Sequence, residues 1–409
     1  MEGARKPLIL LALLGIGCHG KVDVPYPTYA PAPTPYVPNA GSGNAFDAYV
    51  LAAGEAETAV AGFKIAPLGR SFFTPTQRTD LLKALAPALR RIESARGSCD
   101  FRYVPARPGA PLPGRAAWRL LGHALRWRID DALLKGDPAA AIASTAVAMR
   151  FGNDLCGGGP ADRTLGVEIA EDARQALLPA LATLDSAGLR SLADAVKAGL
   201  SRRPPLTKTL EGAEADMALA LQTFMESYRS GEYGPFRTAL GRDFRDLESP
   251  MAEMKKKDGP ARAAFFDGLD EDRRNLSLAW RTAAALPASN RAKLLAVKLK
   301  NPRERKVFAR HFFLVGKPLL EIEDRSVARL RLLVLEAELR RLVRLTRRAP
   351  TSLAAVKPPW AIDPYDGRTF GYQPDGAEYR VYSVGTNLKD DLGDTDAAGL
   401  EPDIRTVVP

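Results

Sequence analysis

Through most of residues 45–347, apolar side chains recur at intervals of three and four, with glycine and proline as punctuation. That spacing gathers them on one face of a 3.6-residue helix, so the chain reads as a succession of amphipathic helices. One begins after Asn44 (AFDAYVLAAGEAETAV), and a second after Thr76 (DLLKALAPALRRIESA), with Thr76 as its N-cap. The clearest hairpin spans residues 116–155, where Gly136 ends one helix, Asp137 caps the next and Pro138 occupies its first turn. VEIAEDARQALLPALATL and AGLRSLADAVKAGL follow, and a longer helix starts after Pro205. Residues 231–275 are less regular and read as an exposed connection around KKKDG. The strongest pattern is DRSVARLRLLVLEAELRRLVRLTRR, in which Leu332, Leu335, Leu339 and Leu342 form a stripe. Asp324 at its start and Arg347 and Arg348 at its end suit the helix dipole.

Trp118, Leu121 and Gly122 are spaced like the opening of a tetratricopeptide repeat, but no second copy stands in register. The expected fold is therefore mainly α, an irregular array of helical hairpins, ending in a small β-hairpin packed on a long helix. The expected organisation is a leader over residues 1–17, a proline-rich tether over 18–43, a helical body over 44–316, and a final helix with its β module over 317–409.

The leader is MEGARKPLILLALLGIGC. Arg5 and Lys6 precede a short apolar run that ends in small residues before Cys18. Such a run is the length of a signal-peptide core and too short to span a bilayer. It resembles a bacterial lipoprotein signal, which implies lipidation at Cys18, export, and a cell-envelope location with a lipid anchor in the membrane. Gly15 stands where such signals usually carry leucine. The next stretch carries Pro25, Pro27, Pro31, Pro33, Pro35 and Pro38, which exclude helix and favour an extended spacer. In an oxidising compartment the remaining pair, Cys99 and Cys156, is expected to form a disulfide. The formal charge is +10, and the body is more basic than that total, because the last residues are acidic. For an exported protein this favours anionic envelope polymers, lipid head groups or other envelope proteins as partners, and not nucleic acid.

After the strong helix come PTSL, DPYDGRTFGY, YRVYSVGTNLKDD and PDI. Phe370–Gln373 and Glu378–Ser383 flank Pro374, Asp375 and Gly376, a hairpin signal. In its order of parts this end resembles the globular region of type II secretion major pseudopilins. The whole chain resembles exported bacterial proteins that combine a helical body with such an end. The pseudopilin resemblance implies calcium held by Asp390, Asp391, Asp394, Asp396 and Asp403. A hard cation with several oxygen ligands would relieve the repulsion among these carboxylates. Asn387 and Leu388 depart from that family's pattern, in which an Asp-Gly pair is frequent.

Catalytic signatures are thin: there are three histidines, and no HExxH, CxxC, P-loop or GxSxG pattern. His123, Trp127 and Asp130 share a helix face and could make an oriented base, though a structural histidine is the commoner arrangement. Glu168, Glu171 and Asp172 could pair for glycan cleavage, though acids at this spacing usually face solvent. CGGGP, residues 156–160, could form an anion nest or a plain interhelical loop. The functional expectation is a membrane-tethered structural or interaction protein with no identified catalytic residue; the alternative is a glycan or peptide hydrolase of the envelope.

Overall fold

The computed structural model describes residues 28–30, 33, 34, 36–63, 68, 72–109, 114–296, 303–356, 359–391, 404 and 405. The first part is α1 (Ala45–Val60), α2 (Pro75–Ala84), α3 (Ala86–Ser94), α4 (Arg115–Leu134), α5 (Pro138–Leu155), α6 (Pro160–Leu177) and α7 (Ser186–Arg202). The second is α8 (Leu206–Ser230), α9 (Gly234–Leu240), α10 (Arg245–Lys255), α11 (Gly259–Ala284), α12 (Ala292–Leu295) and α13 (Arg303–Phe312). A single long helix, α14 (Gly316–Thr346), follows. The fold is mainly α, as the periodicity indicates. Polar side chains start the helices where orphan N–H groups need acceptors: Asn44 serves α1, Asp137 serves α5, Asp185 serves α7 and Asp258 serves α11. At α2 the cap is Thr74 and not Thr76, because Thr74 and Gln77 satisfy each other's backbone N–H reciprocally.

The body contains two apolar cores. Helices α1 to α7 enclose Tyr49, Leu121, Phe151 and Leu192. Helices α8 to α13 enclose a phenylalanine-rich core that includes Phe224, Phe236, Phe266, Phe308 and Phe313. Residues 231–275 belong to this second core, contrary to their reading as an exposed connection. Phe236, Phe244, Leu247, Met251, Met254, Phe265 and Phe266 are all buried, while polar residues between them, Lys255–Asp258 included, are exposed. Large side chains on short helices supplied the burial that a weak period had concealed.

Helix α14 joins everything. Leu319 and Leu320 lie in the second core, Leu330, Leu333, Val334 and Ala337 in the first, and Ala328, Leu332, Leu335 and Leu339 in a third core under the β module. The run Leu332 to Ala337 is buried without a break, Glu336 included, so here α14 is covered on every side. Because α14 starts at Gly316, Asp324 is not at its N-terminus; it is buried inside, paired with Arg291. Burial pushes the Asp324 carboxyl up to about 6 even against that guanidinium.

The third core is closed by β1 (Gly371–Asp375) and β2 (Glu378–Ser383), an antiparallel hairpin with Gly376 in the left-handed region at the turn. The short β3 (Ile404–Arg405) pairs with the other edge of β2. Tyr379 and Val381 face α14, and the Tyr379 hydroxyl approaches the Glu336 carbonyl at 3.5 Å. Tyr382, on the opposite face, lies over its cross-strand partner Gly371, where an added Cβ would meet the ring at 2.3 Å. The hairpin on the long helix is thus as expected, but both of its faces are covered.

Helices α5 and α6 approach so closely that a Cβ on Gly166 would stand 2.2 Å from the Gly152 carbonyl oxygen and 3.0 Å from Cys156 Sγ. Neither obstacle is a flexible side-chain tip. Gly166→Ala should therefore lower unfolding free energy by about 1–3 kcal/mol, the usual cost of overpacking. Thermal denaturation checks this; an unchanged midpoint would mean that the two helices can separate freely.

Candidate functional site

The structure brings the two constellations of candidate acids and bases onto one surface, because α4 and α6 pack side by side. Arg119 pairs with Glu168 at 3.3 Å, and Arg126 lies 3.6 Å from Asp130 and 3.7 Å from Asp172. Between them, His123 Nδ1 lies 3.8 Å from Asp172 Oδ2. His123 stacks along Trp127 and packs near Phe73, and Arg78 sits over the Trp127 ring at 5.9 Å. Burial holds the imidazole below its ordinary value, with Asp172 pulling the other way. Burial likewise raises Asp172, opposed by Arg126 and His123.

This geometry has chemical consequences. His123 Nε2 is buried with no hydrogen-bond partner, and Nδ1 is turned toward Asp172. Glu171 is turned elsewhere: it accepts hydrogen bonds from Arg174, Gln175 and Arg329, which fastens α6 to α14. Burial would raise its carboxyl, but Arg174 and Arg329 bring it below the usual value. The ladder therefore acts as an ionic seam between helices.

The CGGGP turn is equally committed. The Gly159 N–H donates to Asp162 Oδ2, and the Cys156 carbonyl accepts from Arg163 Nη1 and Thr209 Oγ1, both at 2.9 Å. The N–H groups an anion would need are already given away, those of Gly157 and Gly158 to the Asp154 and Leu155 carbonyls and that of Gly159 to Asp162. Periodicity gave no hint of two clusters beside it, since both are assembled from distant segments. In one, Tyr103 donates to Asp216 at 2.5 Å and the Ala106 N–H donates to the same carboxylate at 3.2 Å, while Arg115 grips Asp162. Burial pushes Asp216 up to about 6 despite these donors.

In the other, Arg163, fully buried, sends Nε and Nη2 to Glu323 at 3.0 and 2.9 Å. Arg203 reaches the same carboxylate at 3.2 Å and Ser326 at 3.0 Å. Burial alone would raise Glu323, but Arg203 and Arg163 take it down to about 2.

The disulfide expected between Cys99 and Cys156 is not formed, and both are free. Cys156 Sγ is committed to the α5–α6 contact, within reach of the Gly152 and Arg163 carbonyls at 3.4 and 3.8 Å, whereas Cys99 Sγ lies 4.0 Å from the Asp154 carbonyl. Burial raises both thiols well above the usual range, so neither is a ready thiolate.

In the acidic loop, Asp390 accepts from the Tyr382 hydroxyl at 2.9 Å and Asp391 from the Asn387 amide at 2.7 Å. Asp394, Asp396 and Asp403 lie outside the described residues, as do Cys18 and the leader. Among the described residues no group of three or more histidine, cysteine or acidic side chains could hold a metal ion. No described helix is long and apolar enough to cross a membrane. Comparisons with family models, with curated proteins and with solved structures found no match to this chain.

The lowered His123 value has a definite sign. An unfolded chain takes up the proton first as pH falls below about 6.5, so His123 should cost stability in the acid range. His123→Asn should therefore narrow the difference between thermal midpoints at pH 7 and pH 5. An equal or wider difference would show that the imidazole is not held neutral.

Proposed function

We propose that this chain is an exported bacterial envelope protein, lipidated at Cys18, that acts as a structural and binding element and not as a hydrolase. The observation that carries the reading is that the described residues of the proline-rich stretch, 28–30 and 36–43, are fastened to the body. The Tyr36 hydroxyl and the Ser42 hydroxyl both donate to Asp47 on α1, joined by the Asn39 N–H at 3.0 Å. The Tyr36 ring packs on Phe46 with centroids 5.1 Å apart. Further back, Tyr29 packs on the second core.

At Tyr29 and again over residues 36–43 the stretch expected as a free spacer is therefore held as a strap. An anchor attached ahead of it would hold the body close to a surface in a restricted orientation. The +10 charge supports anionic envelope polymers, lipid head groups or other envelope proteins as what such a body meets. Against a glycan or peptide hydrolase stands the engagement of Glu168, Glu171 and Asp172 in the ionic seam. The pseudopilin-like end enters this reading as the cap of α14. Calcium carries no part of it: Asp390 and Asp391 accept from Tyr382 and Asn387, and the other three aspartates expected to hold the ion lie outside the described residues.

Cys18→Ser should move the protein from the membrane to the soluble fraction of cells expressing the full chain. Intact-mass analysis should find diacylglyceryl mass on wild-type Cys18. An unmodified Cys18 in mature wild-type protein would overturn the lipid-anchored reading.

A further inference from the structure

The strap meets the second core in a furrow between α8 and α11, and the contact there has the form of peptide recognition. The Tyr29 N–H donates to Gln222 Oε1 at 2.9 Å, and the Tyr29 hydroxyl lies 3.5 Å from Asp267 Oδ1. The half-buried ring packs against the apolar side chains of that core. Gln222 is itself held in place. Its amide Nε2 donates to Glu226 at 2.9 Å, which leaves Oε1 as the free acceptor, and Glu226 is held from behind by Arg107 at 2.9 Å. Arg107 belongs to residues 101–109, which cross from the first core to the second through Tyr103 and Asp216. A main-chain hydrogen bond beside a pocket for one side chain is a division of labour that peptide-binding sites use, the first for affinity and the second for specificity.

We propose that the α8–α11 furrow is a docking site for an extended, tyrosine-bearing, proline-flanked segment, filled here in cis by residues 28–30, and that the strap of a second copy of this chain can fill it in exchange. The occupant visible in the furrow is its own evidence of fit. A second copy carries the same tyrosine between the same prolines, so exchange replaces every contact with an identical one. The cis contact is also small, one ring and two polar contacts, so little is lost while the strap is out. What keeps a dilute wild-type chain monomeric is the tether, which supplies its own tyrosine at an effective concentration on the order of mM. Removing the cis tyrosine takes away that advantage.

The test therefore separates strap from furrow in full-length chains. Tyr29→Ala has an intact furrow and no tyrosine to fill it; Gln222→Ala has an intact strap and a damaged furrow. Each alone should sediment as a monomer, since Tyr29→Ala offers no tyrosine to another furrow and Gln222→Ala offers no furrow to another tyrosine. Mixed in equal amounts, they should yield a species of twice the monomer mass, and adding the Tyr29→Ala change to the Gln222→Ala chain should abolish it. If Gln222→Ala lowers the thermal midpoint, Glu226→Ala serves in its place, since it frees Gln222 without touching the ring slot. A mixture that sediments like its separate components overturns the proposal, and so does dimer formed equally by the mixture and by Tyr29→Ala alone.

Discussion

The carboxylate of Glu323 is the point on which the molecule turns. It sits about two turns into α14, side chain 14% exposed, between Arg163 from α6 and Arg203 from the α7–α8 junction, themselves 0% and 4% exposed. Charges taken this far out of water are costly singly and are tolerated here because each is answered. Arg163 gives its remaining donors to the Cys156 and Pro204 carbonyls and to Thr209, and Arg203 gives its own to Asn153 and Ser326. Through these bonds the end of α5, the start of α6, the end of α7 and the start of α8 all meet one residue of α14. The two cores of the body touch at this knot, and α14 continues from it into the third core.

Two irregular segments repeat the same task on the outside. Residues 36–44 fold back on α1 and residues 28–30 reach the second core, while residues 101–109 leave the first core at Phe101 and end against α9, where Gly109 packs on Pro235 and Thr238. Each is fixed at carboxylates: Asp47 for the first, Asp216 for the second. Proline keeps such segments out of helices, and tyrosine gives them both a ring to bury and a hydroxyl to donate. The binding surface proposed for this protein follows from that design, since a strap that docks by one ring is also one that can let go.

The helices were legible in the sequence because burial repeats every 3.6 residues along them, and the hairpin because its turn residues and aromatic alternation coincide. The stripe of Leu332, Leu335 and Leu339 pointed to one buried face of α14, but Leu333 and Val334 were equally buried on another, which no single amphipathic template anticipates. The knot was not legible. Arg163 reads as one more polar position in PADRTLG, and only the fold reveals that its partner stands 160 positions away. His123 and Asp172 were each noticed separately, and their meeting depended on which helices became neighbours. The cysteine pair failed for a related reason: composition can suggest a bridge, but Cys156 Sγ was claimed by the contact of Gly152 with Gly166.

Urea unfolding of wild type and Glu323→Gln, at pH 7 and again at pH 3, tests the central role of this carboxylate most directly. The substitution keeps the shape and leaves two buried guanidinium groups without a counter-charge, so it should cost about 3–5 kcal/mol at pH 7. Because the folded carboxyl lies near 2 against an ordinary 4.5, its contribution is complete above 4.5 and fades as pH falls toward 2. The gap between the two proteins should therefore shrink at pH 3. A gap under about 1 kcal/mol at pH 7, the size expected of an exposed pair, or one that is unchanged at pH 3, would contradict this account.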